Sequence, residues 1–145
     1  MTGTARTTEQ ATLQRMLAGE HAAVYAYGVI GGRLAPGTSL QAAASAAYVE
    51  HRTRRDDLVA RLRAQGADPV VAEAGYALPV PVDTPAQARR VARVVEDRCS
   101  VLYADVVANT TGPTRAYAVG ALIDAATRGL AWGAEPVSLP GVRRR

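Results

Sequence analysis

The sequence has no lysine, no phenylalanine, one cysteine and one tryptophan. Each shortage excludes something. The lone Cys99 rules out an intramolecular disulfide, so the core must stabilise itself by packing. No apolar run approaches the ~20 residues needed to cross a bilayer. The opening residues, Met1 to Gln10, lack the apolar stretch and cleavage site of a secretory leader, so a cytoplasmic protein is expected. All 17 basic residues are arginine, a bias of a GC-rich genome rather than of a chemistry. The net charge of +4 permits an acidic partner without demanding one. What remains is 48% apolar in 145 residues, enough for one domain built on Ala, Leu, Val and Tyr. Alanine-rich surfaces favour closely packed helices.

Four helices are expected. Thr7-Thr8-Glu9-Gln10 reads as a capping box opening a helix from about Thr8 to Leu34, with Leu13, Leu17, Glu20, Val24, Tyr27 and Leu34 inward. Pro36-Gly37 stops it. Thr38-Ser39-Leu40-Gln41 opens a second helix that runs to Gln65 before Gly66, its inner stripe being Leu40, Ala44, Ala47, His51, Arg54 or Arg55, Leu58 and Leu62. Thr84-Pro85-Ala86-Gln87 opens a third, with Val91, Val95, Cys99 or Arg98, Leu102 and Val106 inward, ending near Asn109. The fourth follows Thr111-Gly112-Pro113 and carries Tyr117, Val119, Leu122, Ile123, Ala126 and Leu130 to about Trp132. The helical core thus covers 8–132 of a single domain, and 133–145 is expected to be an irregular, partly disordered tail.

The segment 67–83 cannot be helical, because Pro79 and Pro81 sit in an extended run with Pro69 and Gly75 before them. Its residues span up to roughly 55 Å at ~3.3 Å each, more than the ~40 Å of a neighbouring helix. It can therefore traverse the whole bundle. The expected fold is all-α: an antiparallel four-helix bundle with one long crossover between helices two and three, the ferritin-like arrangement.

Each helix carries an acid near its midpoint: Glu20, Glu50, Glu96 and Asp124. Midpoints of packed antiparallel helices share a level, so these acids are expected in one layer. Di-iron bundles add a Glu-x-x-His pair on each of two helices. The corresponding positions here, Thr53 and Thr127, are threonines. The histidines instead follow acids directly, as Glu20-His21 and Glu50-His51. Periodicity turns Glu20 and His51 inward, Glu50 to the flank and Glu96 to the edge of its stripe. A buried Glu20 needs a partner, with His51 the first choice and Arg54, Arg55 or Tyr27 the others.

Leu17-Ala-Gly-Glu-His-Ala-Ala-Val-Tyr-Ala-Tyr-Gly28, followed by His51-Arg-Thr-Arg-Arg-Asp56, Tyr76-Ala-Leu-Pro79 and Glu96, resembles an uncharacterised ferritin-like family of GC-rich bacteria. That resemblance implies a self-associating ferritin-like bundle, with metal-ligand positions at Glu20, Glu50, Glu96 and Asp124. Two functions follow. In the first, the centre is degenerate and metal-free, and the protein is a structural or interaction module, a homodimer without enzymatic activity. In the second, Glu20, Glu50, His51, Glu96 and Asp124 supply a reduced ligand set for iron, manganese or zinc in an oxidoreductase or storage protein.

Other features have plainer readings. Arg52–Asp56, Glu50–Arg54, Asp57–Arg61 and Arg93–Asp97 are i, i+4 pairs of a solvated surface, and no specific nucleic-acid binding is expected from the arginines. Cys99 lies in an apolar stripe and reads as buried and inert. Tyr25 and Tyr27 read as packing residues rather than an electron relay.

Overall fold

The computed structural model describes residues 3–143. Four helices account for most of them: α1 (Gly3–Arg33), α2 (Ser39–Ala64), α3 (Pro85–Asn109) and α4 (Gly112–Ala131). The caps explain most of the boundaries. At α3 the full box forms: the Gln87 amide donates to the Thr84 hydroxyl at 3.2 Å, while the Gln87 side chain accepts from the Thr84 amide at 3.0 Å. At α2 only half forms. Thr38 accepts from the Gln41 amide, but the Gln41 side chain turns to Ser45. The box expected at Thr7 is absent. The helix already runs from Gly3, the Thr7 and Thr8 hydroxyls donate back to the Thr4 carbonyl, and Gln10 reaches across to the Gln65 carbonyl.

Side-chain contacts fix the directions. Along α1 the partners on α2 run backwards, from Gln65 at the level of Glu9 to His51 at Glu20. The partners on α3 run backwards too, from Asp105 at Arg15 to Glu96 at Tyr27. On α4, Asp124 meets Arg54 and Arg128 meets Glu96. Hence α2 and α3 are parallel, and each is antiparallel to α1 and α4. That topology requires the chain to return the length of the bundle between α2 and α3, as the prolines of 67–83 predict.

The crossover travels along α1. Gln14 holds the Asp68 carbonyl and the Val70 amide, His21 bonds the Val70 carbonyl at 3.0 Å, Tyr25 packs on Tyr76, and Asp83 pairs with Arg33 at 3.8 Å. Leu78 and Val80 rest on the core and Val82 is buried in it. Beyond α4 the chain through Arg143 carries no further helix and folds back onto α3. Gly141, at φ 75°, presses so closely on the Ser100 carbonyl that a Cβ there would collide with it.

The core departs from the expected stripe on α4. Its buried positions are Ala118, Ala121, Ala125 and Gly129, whereas Val119, Ile123 and Leu130 lie outside. Small residues let α4 sit close to α3. No described helix is long and apolar enough to cross a membrane.

Candidate functional site

Halfway along the bundle the core turns polar. Glu20, His51 and Glu96 are at most 1% exposed, and each comes from a different helix. His51 lies between the two acids: Nδ1 is 2.7 Å from Glu20 Oε2 and Nε2 is 3.2 Å from Glu96 Oε1. Two tyrosines complete the inner ring. Tyr27 donates to Glu96 Oε1 at 2.6 Å and stacks on the His51 ring, with centroids 5.3 Å apart. Tyr103 donates to Glu20 Oε1. Two arginines close the outer side. Arg128 Nε donates to Glu96 Oε1 at 3.0 Å. Arg54 spans α2 and α4, bonding Asp124 at 2.9 Å while its guanidinium lies 5.5 Å from the Tyr103 ring centroid.

Ionised carboxylates only accept hydrogen bonds. With both partners ionised, both ring nitrogens of His51 donate and the ring is an imidazolium. Burial works against that charge, but the hydrogen bonds to Glu20 and Glu96 and their negative charges outweigh it, so the His51 pKa stands above its ordinary value. Glu96 mirrors this. Burial would raise it, but bonds and charge from His51, then Arg128 and Tyr27, hold it below the usual carboxylate value. Burial first, and Glu96 next, push Tyr27 up; Tyr103 is also raised well above normal, by burial first. Both remain donors. Cys99 is likewise driven up, by burial and then by Glu20 and Glu96, so it stays an unreactive thiol. Burial first, then the charge of Asp57 against the opposing Arg54, push the half-buried Tyr117 up to about 12. The formal charges balance: Glu20, Glu96 and Asp124 face His51, Arg54 and Arg128.

The expected layer is thus only half assembled from acids. Glu20 and Glu96 meet through His51. Asp124 is half exposed and joins only through Arg54. Glu50 is exposed, one position before the inward His51 and so turned ~100° away, where it lines a groove between α2 and α4. Glu96 lies inside rather than at an edge. The i, i+4 pairs expected on α2 and α3 are replaced: Arg54 goes to Asp124, Arg55 to Asp56, Arg61 lies 4.1 Å from the Tyr117 ring centroid, and Arg93 bonds the Trp132 carbonyl. Tyr103 and Arg128 were not singled out from the sequence. Tyr103 lies one turn beyond Cys99 and two beyond Glu96, and that spacing was the available signal.

Residues 12–144 match the family described as a domain of unknown function, DUF4439. The chain belongs to this family. A crystal structure of a conserved hypothetical protein, Rv2844, from Mycobacterium tuberculosis is similar: 33% identical, with a TM-score of 0.82 over 92% of this chain and 96% of that one. No curated protein matches. Both nitrogens of His51 are engaged by carboxylates, Glu96 accepts three donors on one oxygen, and threonines occupy positions 53 and 127. Among the described residues no group of three or more His, Cys, Asp and Glu side chains is arranged to hold a metal ion.

Proposed function

We propose that this protein is a ferritin-like bundle whose metal centre has been replaced by a permanent ion-pair network, and that it serves as a structural or interaction module rather than an enzyme. One observation carries the reading: the imidazolium of His51 lies between Glu20 and Glu96, where a cation bridging two carboxylates would otherwise sit. A side-chain cation with Arg54 and Arg128 behind it supplies the charge compensation that a metal would bring, so a divalent ion would have to displace a proton and two hydrogen bonds to enter. The outward side of α4, with exposed Ile123 and Leu130, favours a second copy as partner.

The test is elemental analysis of protein purified without chelators, followed by calorimetric titration with iron(II), manganese(II) and zinc(II). We expect substoichiometric metal and no saturable heat. Metal at one or two ions per chain, lost on Glu20→Gln, would overturn the proposal in favour of an oxidoreductase or storage role.

A further inference from the structure

Past Pro136 the tail makes one fixed turn. Leu139-Pro140-Gly141-Val142 is closed by the Val142 amide, which donates to the Leu139 carbonyl at 3.2 Å. Proline at the second position and a left-handed glycine at the third follow the type II pattern. Gly141 packs against the Ser100 carbonyl of α3, so the turn is anchored through its backbone. Its large side chains stay outside: Val137 is 63% exposed, Leu139 66% and Val142 57%. With Val101 of α3 they border one depression of about 320 Å³.

Charge and side-chain chemistry select what covers them. Arg143 lines the same depression, and Arg144 and Arg145 follow it in the sequence. Arg90 is exposed on the side of α3 that carries Val94, Asp97 and Val101, at spacings of four, seven and eleven residues. Asp97 and Glu135 are the acids nearby, and these arginines outnumber them. Among the described residues the depression has no aromatic lining; its centre is aliphatic, with a guanidinium directly at the edge. The centres of protein interfaces favour aromatics and are depleted of charge. The boundary of an anionic bilayer accepts both features at once, aliphatic groups entering below the headgroups while arginines stay at the phosphates. We propose that this turn and the arginines after it dock the protein peripherally on anionic phospholipid surfaces, with Val137, Leu139 and Val142 entering the acyl boundary.

The test is co-sedimentation of the full chain with vesicles of phosphatidylcholine alone or mixed equally with phosphatidylglycerol, at about 0.1 M salt. Saturable binding to the mixed vesicles is expected, with little to the neutral ones. Leu139→Ser combined with Val142→Ser should weaken it about tenfold or more, and should leave the helical circular dichroism unchanged because both side chains are mostly exposed. Changing Arg143, Arg144 and Arg145 together to Gln should also weaken it about tenfold or more. No binding to the mixed vesicles, or equal binding to the neutral ones, would overturn the proposal. So would undiminished binding of the double serine variant, which would reduce the effect to general attraction of a basic chain. A dimer that the same variant breaks apart, with no vesicle bound, would assign the patch to a second copy instead.

Discussion

His51 makes the bundle's centre tolerable by bridging two carboxylates that water cannot reach, Arg128 sharing the charge of Glu96. Removing one partner of a buried ion pair leaves the other uncompensated and costs about 3–5 kcal/mol. His51→Gln should therefore lower unfolding stability by an amount in that range, measured by urea denaturation. Glu20→Gln keeps an acceptor for Tyr103 and should cost only about 1–3 kcal/mol. The same residue sets a pH dependence. His51 binds its proton more tightly in the folded chain than in the unfolded one, where the value is ~6.5. Its stabilisation is complete below that pH and is lost as pH rises through the raised folded value. Glu96 has the opposite sign: its contribution is present above the ordinary carboxylate value and is lost as pH falls through its lowered one. The urea midpoint should thus be highest in mildly acidic solution and decline on the alkaline side, a decline that His51→Gln removes. A midpoint climbing from neutral to alkaline pH would contradict the imidazolium.

At the scale of elements, stability depends on which polar ends are satisfied. Thr84 completes a reciprocal cap at α3, whereas Thr111 flanks α4 with no side-chain cap bond. Thr84→Ala should cost about 1 kcal/mol in the same urea assay. Thr111→Ala should change the midpoint by about half that or less. Equal losses would show that the two helix starts are governed by something other than their caps. Capping chemistry is local, which is why Thr84-Pro85-Gln87 and the proline-rich crossover could be read from the chain, and the topology with them. The start of α1 could not, because Thr7 and Thr8 are equally able to bond back within a helix that is already running. The α4 stripe misled for a different reason. Ala118, Ala121, Ala125 and Gly129 carry little hydrophobicity, so periodicity followed the larger Val119, Ile123 and Leu130, which face outward. Pairing His51 with Glu20 was legible from one helix face and one buried acid. Arg54 could be placed inward but not matched to Asp124, and neither Tyr103 nor Arg128 could be assigned, since these partners depend on how far one helix slides along another.

For the whole molecule, the outward side of α4 raises the question of what covers it. Ala116, Val119, Gly120, Ile123, Thr127 and Leu130 fall within an arc of about 100° at 3.6 residues per turn, and none is charged. Ile123 is 61% exposed at the middle of this face. Gly120 beside it has open space where a Cβ would stand, so another helix can approach closely. Two copies of α4 crossing near Gly120 would each bury the same face, as a two-fold dimer requires. Wild-type protein should therefore sediment as a dimer, and Ile123→Arg should convert it to a monomer. Because Ile123 is mostly exposed and lies outside the core cluster, the variant should keep the helical circular dichroism of the parent, so loss of assembly can be told from loss of fold. A wild-type chain that stays monomeric at high concentration, or an Ile123→Arg variant that still dimerises, would leave this face without the second copy as its partner.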